Sequence, residues 1–216
     1  MAETGDRPDR RPAFEPGHFA RMDEAPDSIF YAPARIVTHI DDDAIAALSA
    51  HYGRILKDGD RILDLMSSCV SHLPRALRPA RVTGLGMNMT ELEANSRLDE
   101  RIVRDLNEAP ALPFADGTFD ACLIAVSVQY LTTPVEVMTE IARVLRPGGI
   151  LAVSFSNRMF PTKAVALWRA LGDEGHGALV SEYIARAGGF ADPERLDLSP
   201  APGLTDPIYV VQARRR

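Results

Sequence analysis

Residues Ala121 to Val128 are an unbroken apolar run, bounded by Asp120 and Gln129. A strand with one wet face alternates apolar and polar residues. A continuous run therefore predicts a strand covered on both faces, as in a parallel sheet with helices above and below it. The rest of the chain can supply those helices and sister strands. Arg61 to Met66 reads as a buried strand, Arg81 to Leu85 as a second and Ile102-Val103 as a third, with Ile150 to Phe155 after the apolar run. Helical periodicities lie between them. One opens on Asp41-Asp42-Asp43 and runs through Ile45, Leu48, Tyr52 and Ile55, and another covers Asn88 to Leu98. A third begins at Thr133-Pro134 and stops at Pro147-Gly148-Gly149. A helix near Leu179 to Ala187 precedes two last strands, around Arg195 to Leu198 and Ile208 to Ala213. Strands alternating with helices predict an α/β fold with a doubly wound, mostly parallel sheet.

The same pattern divides the chain. Residues 1–17 are rich in Pro, Asp and Arg and are expected to be a disordered leader. Residues 18–58 form a lid and helical segment, and residues 59–216 hold the sheet. Of the 216 residues, 46% are apolar and 25% charged, which suits one globular domain. A net charge of -6 argues against a general binder of nucleic acid or anionic membranes. No apolar run reaches membrane length, so a cytoplasmic protein is expected, with no sequence signal for oligomeric state. Cys69 and Cys122 are too few for a disulfide framework or a Cys-rich metal site, and no metal is expected.

In open α/β sheets ligands bind beyond the carboxyl ends of the strands. Two such segments are informative. Asp105-Leu106-Asn107 is followed by Leu112-Pro113-Phe114-Ala115-Asp116-Gly117-Thr118-Phe119-Asp120, then the apolar run, then Leu145-Arg146-Pro147-Gly148-Gly149. This order resembles the class I S-adenosylmethionine-dependent methyltransferases, in their small-molecule branch, from about Arg61 to Ala213. The resemblance implies a Rossmann-like seven-stranded sheet with an antiparallel last strand, and S-adenosylmethionine as cofactor. It implies that Asp64 helps hold the methionine end and that Asp105 accepts from the adenine amino group, with Leu106 on the ring. Glu108 is a rival for the Asp105 role, and a plain turn carboxylate is the structural alternative. Ala125 and Val126 would line the cofactor near its sulfonium, with Gln129 and Tyr130 toward the acceptor.

The chain also departs from that family. The loop after Asp64 reads Leu65-Met66-Ser67-Ser68-Cys69-Val70-Ser71-His72, with Met66, Ser68 and Val70 where glycines are expected. After the second strand Gly86-Met87-Asn88 stands where an acid would grip the ribose. In one reading Ser67 and Ser68 supply hydroxyls in place of backbone donors, Gly86 leaves room for the sugar and Asn88 bonds it. In the other the pocket has decayed and the fold serves as a scaffold. Met66, Ser67, Ser68, Gly86, Met87 and Asn88 complete the expected cofactor-lining set, although Met87 also suits plain packing.

Methyl transfer is an in-line displacement that needs a base only when the acceptor must lose a proton. His39, His72 and Tyr31 are candidates, each with a structural alternative. Ser71-His72 is not a nucleophilic pair, since neighbours on a helix do not face each other. Asn157, Arg158 and Lys163 follow the fifth strand, where an acceptor pocket is expected, and Arg35 and Tyr31 reach it from the lid. Arg158, Lys163 and Arg35 could meet an anionic group, or form a solvated face. The leading expectation is methyl transfer to a small-molecule acceptor. A non-catalytic sensor or partner-binding scaffold is the alternative from another class, and a nicotinamide dehydrogenase is a distant third without G-x-G-x-x-G.

Overall fold

The computed structural model describes residues 13–216, and residues 1–12 of the expected leader lie outside them. The remainder of that leader is ordered. Pro16–Phe19 form a 3-10 turn, and Phe14 packs edge-on against Tyr183 and Phe19, with ring centroids 5.5 and 5.4 Å apart. Partly burying these two phenyl rings against the core outweighs the disorder-favouring composition around them.

The elements follow the expected alternation: α1 (Asp27–Phe30), α2 (Asp42–Ile55), β1 (Arg61–Leu65), β2 (Arg81–Gly86), α3 (Met89–Ala94), β3 (Glu100–Val103), β4 (Phe119–Ala125), α4 (Pro134–Val144), β5 (Leu145–Phe155), α5 (Ala166–Arg169), α6 (Asp173–Ala187), β6 (Glu194–Asp197) and β7 (Tyr209–Arg214). The seven strands lie in the order β3-β2-β1-β4-β5-β7-β6. The first five are parallel, and β7 runs antiparallel to both β5 and β6. Each face of the sheet carries its own apolar core. α2 contributes the buried Ala44, Leu48 and Tyr52 on one side, and α4 and α6 cover the other through Val137, Met138, Ile141, Val180 and Ile184. No helix among the described residues is long and apolar enough to cross a membrane.

Three boundaries differ from expectation. β4 ends at Ala125 rather than Val128, because Val126 turns into the left-handed region at φ 51°. α3 stops at Ala94, where Asn95 turns inward to bond the Ser68 carbonyl and the Ser71 hydroxyl. The Leu145-Arg146-Pro147-Gly148-Gly149 turn belongs to the start of β5, at the opposite end of the sheet from the strand carboxyl termini. Its Gly149 is required by packing: a Cβ there would lie 2.9 Å from the Arg146 carbonyl oxygen and 3.0 Å from that of Asp120. That motif holds the frame and takes no part in the cleft.

Candidate active site

The strand order reverses at β1 and β4, and there the sheet opens a cleft of about 420 Å³ beyond the strand carboxyl ends. Asp64, Met66, Ser67, Ser68, Gly86, Met87, Asp105, Leu106, Ala125 and Val126 all line it, as do Tyr31, Arg35, His39, His72, Tyr130, Asn157 and Arg158. Most of the residues singled out in the sequence thus share one cavity.

Asp64 stands at its floor. It is 2% exposed, and its Oδ2 accepts from both Ser67 Oγ (2.8 Å) and Ser71 Oγ (2.6 Å). No described residue donates to Oδ1. Burial pushes the carboxyl up to about 6, with the two hydroxyls pulling the other way. Ser71 is held by Asn95, whose Nδ2 donates to its hydroxyl at 2.8 Å. The hydroxyls of Ser67 and Ser68, expected to face the cofactor, are thus given to protein carboxylates, Ser67 to Asp64 and Ser68 to Glu91. The loop is strained as well. Among the described residues the non-glycine positions at positive φ are Met66 (57°), His72 (54°) and Val126 (51°), and all three line this cleft. Left-handed backbone at a β-branched or long side chain costs about 1–3 kcal/mol and persists at sites whose surroundings over-determine it.

Two expected roles on the β2 side are corrected. Asn88 does not reach the cleft: its Oδ1 caps α3 at the Glu91 N–H, and its Nδ2 donates to the lid carbonyls of Tyr31 (2.9 Å) and Ala32 (3.0 Å). Gly86 lines the cleft, but its missing side chain makes room for the protein itself. A Cβ there would lie 2.1 Å from the Ser67 carbonyl oxygen. The acid on this side is Glu91, unremarked in the sequence. Its Oε1 accepts the Arg35 N–H (2.8 Å) and its Oε2 the Ser68 hydroxyl (2.7 Å), so one carboxylate joins the lid to the β1 loop.

On the other wall Asp105 lines the cleft while its Oδ1 accepts the Asn107 N–H at 2.8 Å, a local turn bond. Glu108 is exposed and outside the cleft, so Asp105 is the carboxylate placed for a ligand. Asn107 is another residue that the sequence reading passed over. It donates to Asp27 Oδ2 and to the Tyr130 carbonyl, and accepts from Thr132. Gln129 does not face the acceptor side as expected. It is 1% exposed, turned inward to the Val126 carbonyl, and outside the cleft lining. Ser127, two residues earlier, does line the cleft, and its Oγ is buried with no partner among the described residues.

The lid is fastened at both ends. At its start Lys163, fully buried, donates to the carbonyls of Ala25 (2.6 Å) and Asp23 (3.2 Å) and pairs with Asp27 at 3.2 Å. Arg21 pairs with the same Asp27 at 2.6 Å. The opposing cations and the Asn107 amide together outweigh burial and hold the Asp27 carboxyl below its ordinary value. Lys163 is therefore an anchor for the lid and unavailable to an acceptor. At the other end Arg35 lies 4.5 Å over the Phe30 ring and 5.3 Å over that of Phe160, and its Nη2 donates to the Phe30 carbonyl. Arg158 is exposed at the mouth, 3.5 Å from Asp206.

The three candidate bases differ. Burial pushes the Tyr31 phenol far above its ordinary value, which removes it as a base. His72 is pulled down to about 4 by burial and by its neighbour His39, and its Nδ1 is buried with no partner among the described residues. His39 is lowered by burial and by Arg35, while Glu91 acts in the opposite direction.

Residues 66–153 match the family model described as a methyltransferase domain. Two relatives illustrate the likeness. The 27-O-demethylrifamycin SV methyltransferase of Amycolatopsis mediterranei is 36% identical over 109 residues, covering 45% of this chain and 39% of that protein. The demethylmenaquinone methyltransferase of Paenarthrobacter aurescens is 31% identical over 134 residues, covering 61% and 48%. The match thus spans less than half of either relative. Among solved structures the [4+2]-cyclase SpnF superposes with a TM-score of 0.59 at 18% identity, over 85% of this chain and 89% of that one. At that identity the likeness concerns the fold, and the cyclase shows that one fold carries more than one activity.

Proposed function

We propose that this chain, whose residues 66–153 match a methyltransferase domain, is a class I S-adenosylmethionine-dependent methyltransferase that transfers a methyl group to a small-molecule acceptor held between the strand ends and the lid. The observation that carries this reading is the joint placement of Asp64 and Asp105 on one cleft at the switch point. The residues present fit the cofactor. In this reading Asp64 offers its Oδ1 to the ammonium group and Asp105 its carboxylate to the adenine amine, supported by the presence of Asp64, Asp105 and Leu106 on one cleft. When bound, the cofactor supplies an electrophilic methyl group on a sulfonium. The protein's part is to orient the acceptor, exclude water and receive a proton where the acceptor has one to lose. The lid, pinned by Lys163 and latched by Glu91, supplies the exclusion.

Both relatives are named as methyltransferases of small molecules, demethylrifamycin SV and demethylmenaquinone, which supports a small-molecule acceptor here. Calorimetric titration with S-adenosylmethionine, S-adenosylhomocysteine and NADH tests the proposal. Binding of both sulfur ligands and not of NADH is expected. Absence of either sulfur ligand's binding at millimolar concentration contradicts it. A second reading has one observation in its favour: Asn88 and Glu91, beside the expected ribose position, are committed to the lid. A sensor that binds cofactor without turnover would show that titration but no methyl transfer across acceptor panels.

A further inference from the structure

One side chain ties together three pieces of the cleft wall that lie far apart in the chain. Asn107 lines the cleft on the turn after β3, two residues beyond Asp105. Its Nδ2 donates to Asp27 Oδ2 in the lid at 2.8 Å and to the Tyr130 carbonyl at 3.0 Å. Its Oδ1 accepts from the Thr132 N–H at 2.8 Å and from the Thr132 hydroxyl at 3.1 Å. Both amide protons and both lone pairs are therefore spent. The amide can sit only one way round, because the Tyr130 carbonyl can only accept and the Thr132 N–H can only donate.

An asparagine on a turn usually bonds its own backbone a residue or two on. The Asn107 side chain makes no such bond. Its partners lie 80 residues away in the lid, and 23 and 25 residues away in the loop between β4 and α4. Both segments are cleft walls, since Asp27, Tyr130 and Leu131 line the same cavity. Each is also held from behind. Asp27 is gripped by Arg21 and Lys163, and the Tyr130 hydroxyl accepts the Phe160 N–H at 2.8 Å. The backbone of Asn107 meets the third piece. Its N–H donates to Asp105 Oδ1 at 2.8 Å, and no described residue donates to Oδ2. The turn thus fixes one oxygen of a cleft-lining carboxylate and leaves the other uncommitted.

We propose that Asn107 is a positioning residue that links the seating of the lid to the aim of the Asp105 carboxylate. With the lid down, the amide holds the turn against Asp27 and the β4–α4 loop, and Asp105 faces the adenine end of the cofactor. Linkage is reciprocal, so a ligand on Asp105 holds the lid down by the same factor. Asn107 bonds no ligand in this role, since its amide has no donor or acceptor left. This inference rests on the methyl-transfer reading, through the cofactor that the reading sets on Asp105.

The test is a double-substitution cycle on the full chain, read by calorimetric titration with S-adenosylhomocysteine. Asn107→Ala is expected to weaken that ligand by about tenfold, the worth of one hydrogen bond. In the Asp105→Ala background the same substitution is expected to cost less than about twofold, because the group it acts through is gone. A residue that merely holds the fold together costs the same factor in both backgrounds. Asn107→Asp keeps the shape but turns an oxygen toward Asp27 and the Tyr130 carbonyl. It is expected to weaken the ligand at least as much, and it replaces Asn107→Ala in the cycle if that variant does not fold. Amide hydrogen exchange over residues 23–35 gives the reciprocal readout: saturating S-adenosylhomocysteine slows it in the unaltered protein and not in the Asn107 variant. Unchanged affinity in the Asn107 variant, an equal cost in the two backgrounds, or undiminished protection of the lid overturns the positioning role and leaves the methyl-transfer reading standing. Absence of S-adenosylhomocysteine binding in the unaltered protein overturns that reading, and the inference with it.

Discussion

The two walls of the cleft solve one problem, a carboxylate facing a ligand, by different physics. On the β1–β2 wall Asp64 is buried, held by two serine hydroxyls from a strained loop, and its neighbours reach 23 to 56 residues along the chain through Glu91. On the β3–β4 wall Asp105 is half-buried and its one bond is to the N–H two residues on. The first wall stores cost in desolvation and backbone strain, and the second stores almost none. A ligand with a cationic end therefore has more to gain from the first wall, where a charge waits without its counter-charge.

The sharpest way to break the contrast is to cut the anchor that holds the lid over both walls. Lys163→Met leaves Asp27 buried with one cation fewer, and is expected to destabilise the fold by about 3–5 kcal/mol, read as a fall in the chemical-denaturation midpoint. Second, Asp64→Asn is expected to stabilise the ligand-free protein at pH 8. The folded carboxyl titrates near 6 and the unfolded one near 3.8, so its charge weakens the fold progressively as pH rises from about 4 to 6. Removing that charge is worth up to about 3 kcal/mol by the 1.36 kcal/mol per unit relation. The same change should weaken cofactor binding, a trade that a purely structural aspartate would not show. Third, His72→Phe should protect against acid. Its imidazole, held near 4, lends stability at neutral pH that is lost as pH falls from about 6.5 toward 4. Urea denaturation of the unaltered protein and the variant at pH 7 and pH 5 separates this from the Asp64 effect, which has the opposite sign. Fourth, Asp105→Ala is expected to weaken S-adenosylhomocysteine by about 1–3 kcal/mol, with Glu108→Ala unchanged in the same titration.

The contrast also explains what the sequence made legible. Asp105, Leu106, the apolar run and the Leu145-Arg146-Pro147-Gly148-Gly149 turn act through local geometry, so order and spacing were enough to place them. The β1–β2 wall is assembled by contacts that no local pattern records. Glu91 looked like an ordinary helix residue until the fold set it between Arg35 and Ser68. Asn88 was assigned to a ligand because the lid carbonyls of Tyr31 and Ala32, 57 and 56 residues away, could not be foreseen as its partners. Lys163 read as a surface cation for the same reason: its carbonyl partners lie about 140 residues earlier. Gly86 was correctly marked as special, but the atom that needs its bare Cα is the Ser67 carbonyl.

The central claim is that Asp64, charged and short of a partner, draws the cofactor's ammonium group into the cleft. The direct measurement is S-adenosylhomocysteine affinity across pH 5 to 8, in the unaltered protein and in Asp64→Asn. The account predicts that affinity in the unaltered protein falls as pH drops through about 6, by up to about tenfold per unit below it, and that Asp64→Asn binds weakly with no such limb. Equal affinity and the same pH profile in the two proteins would contradict it.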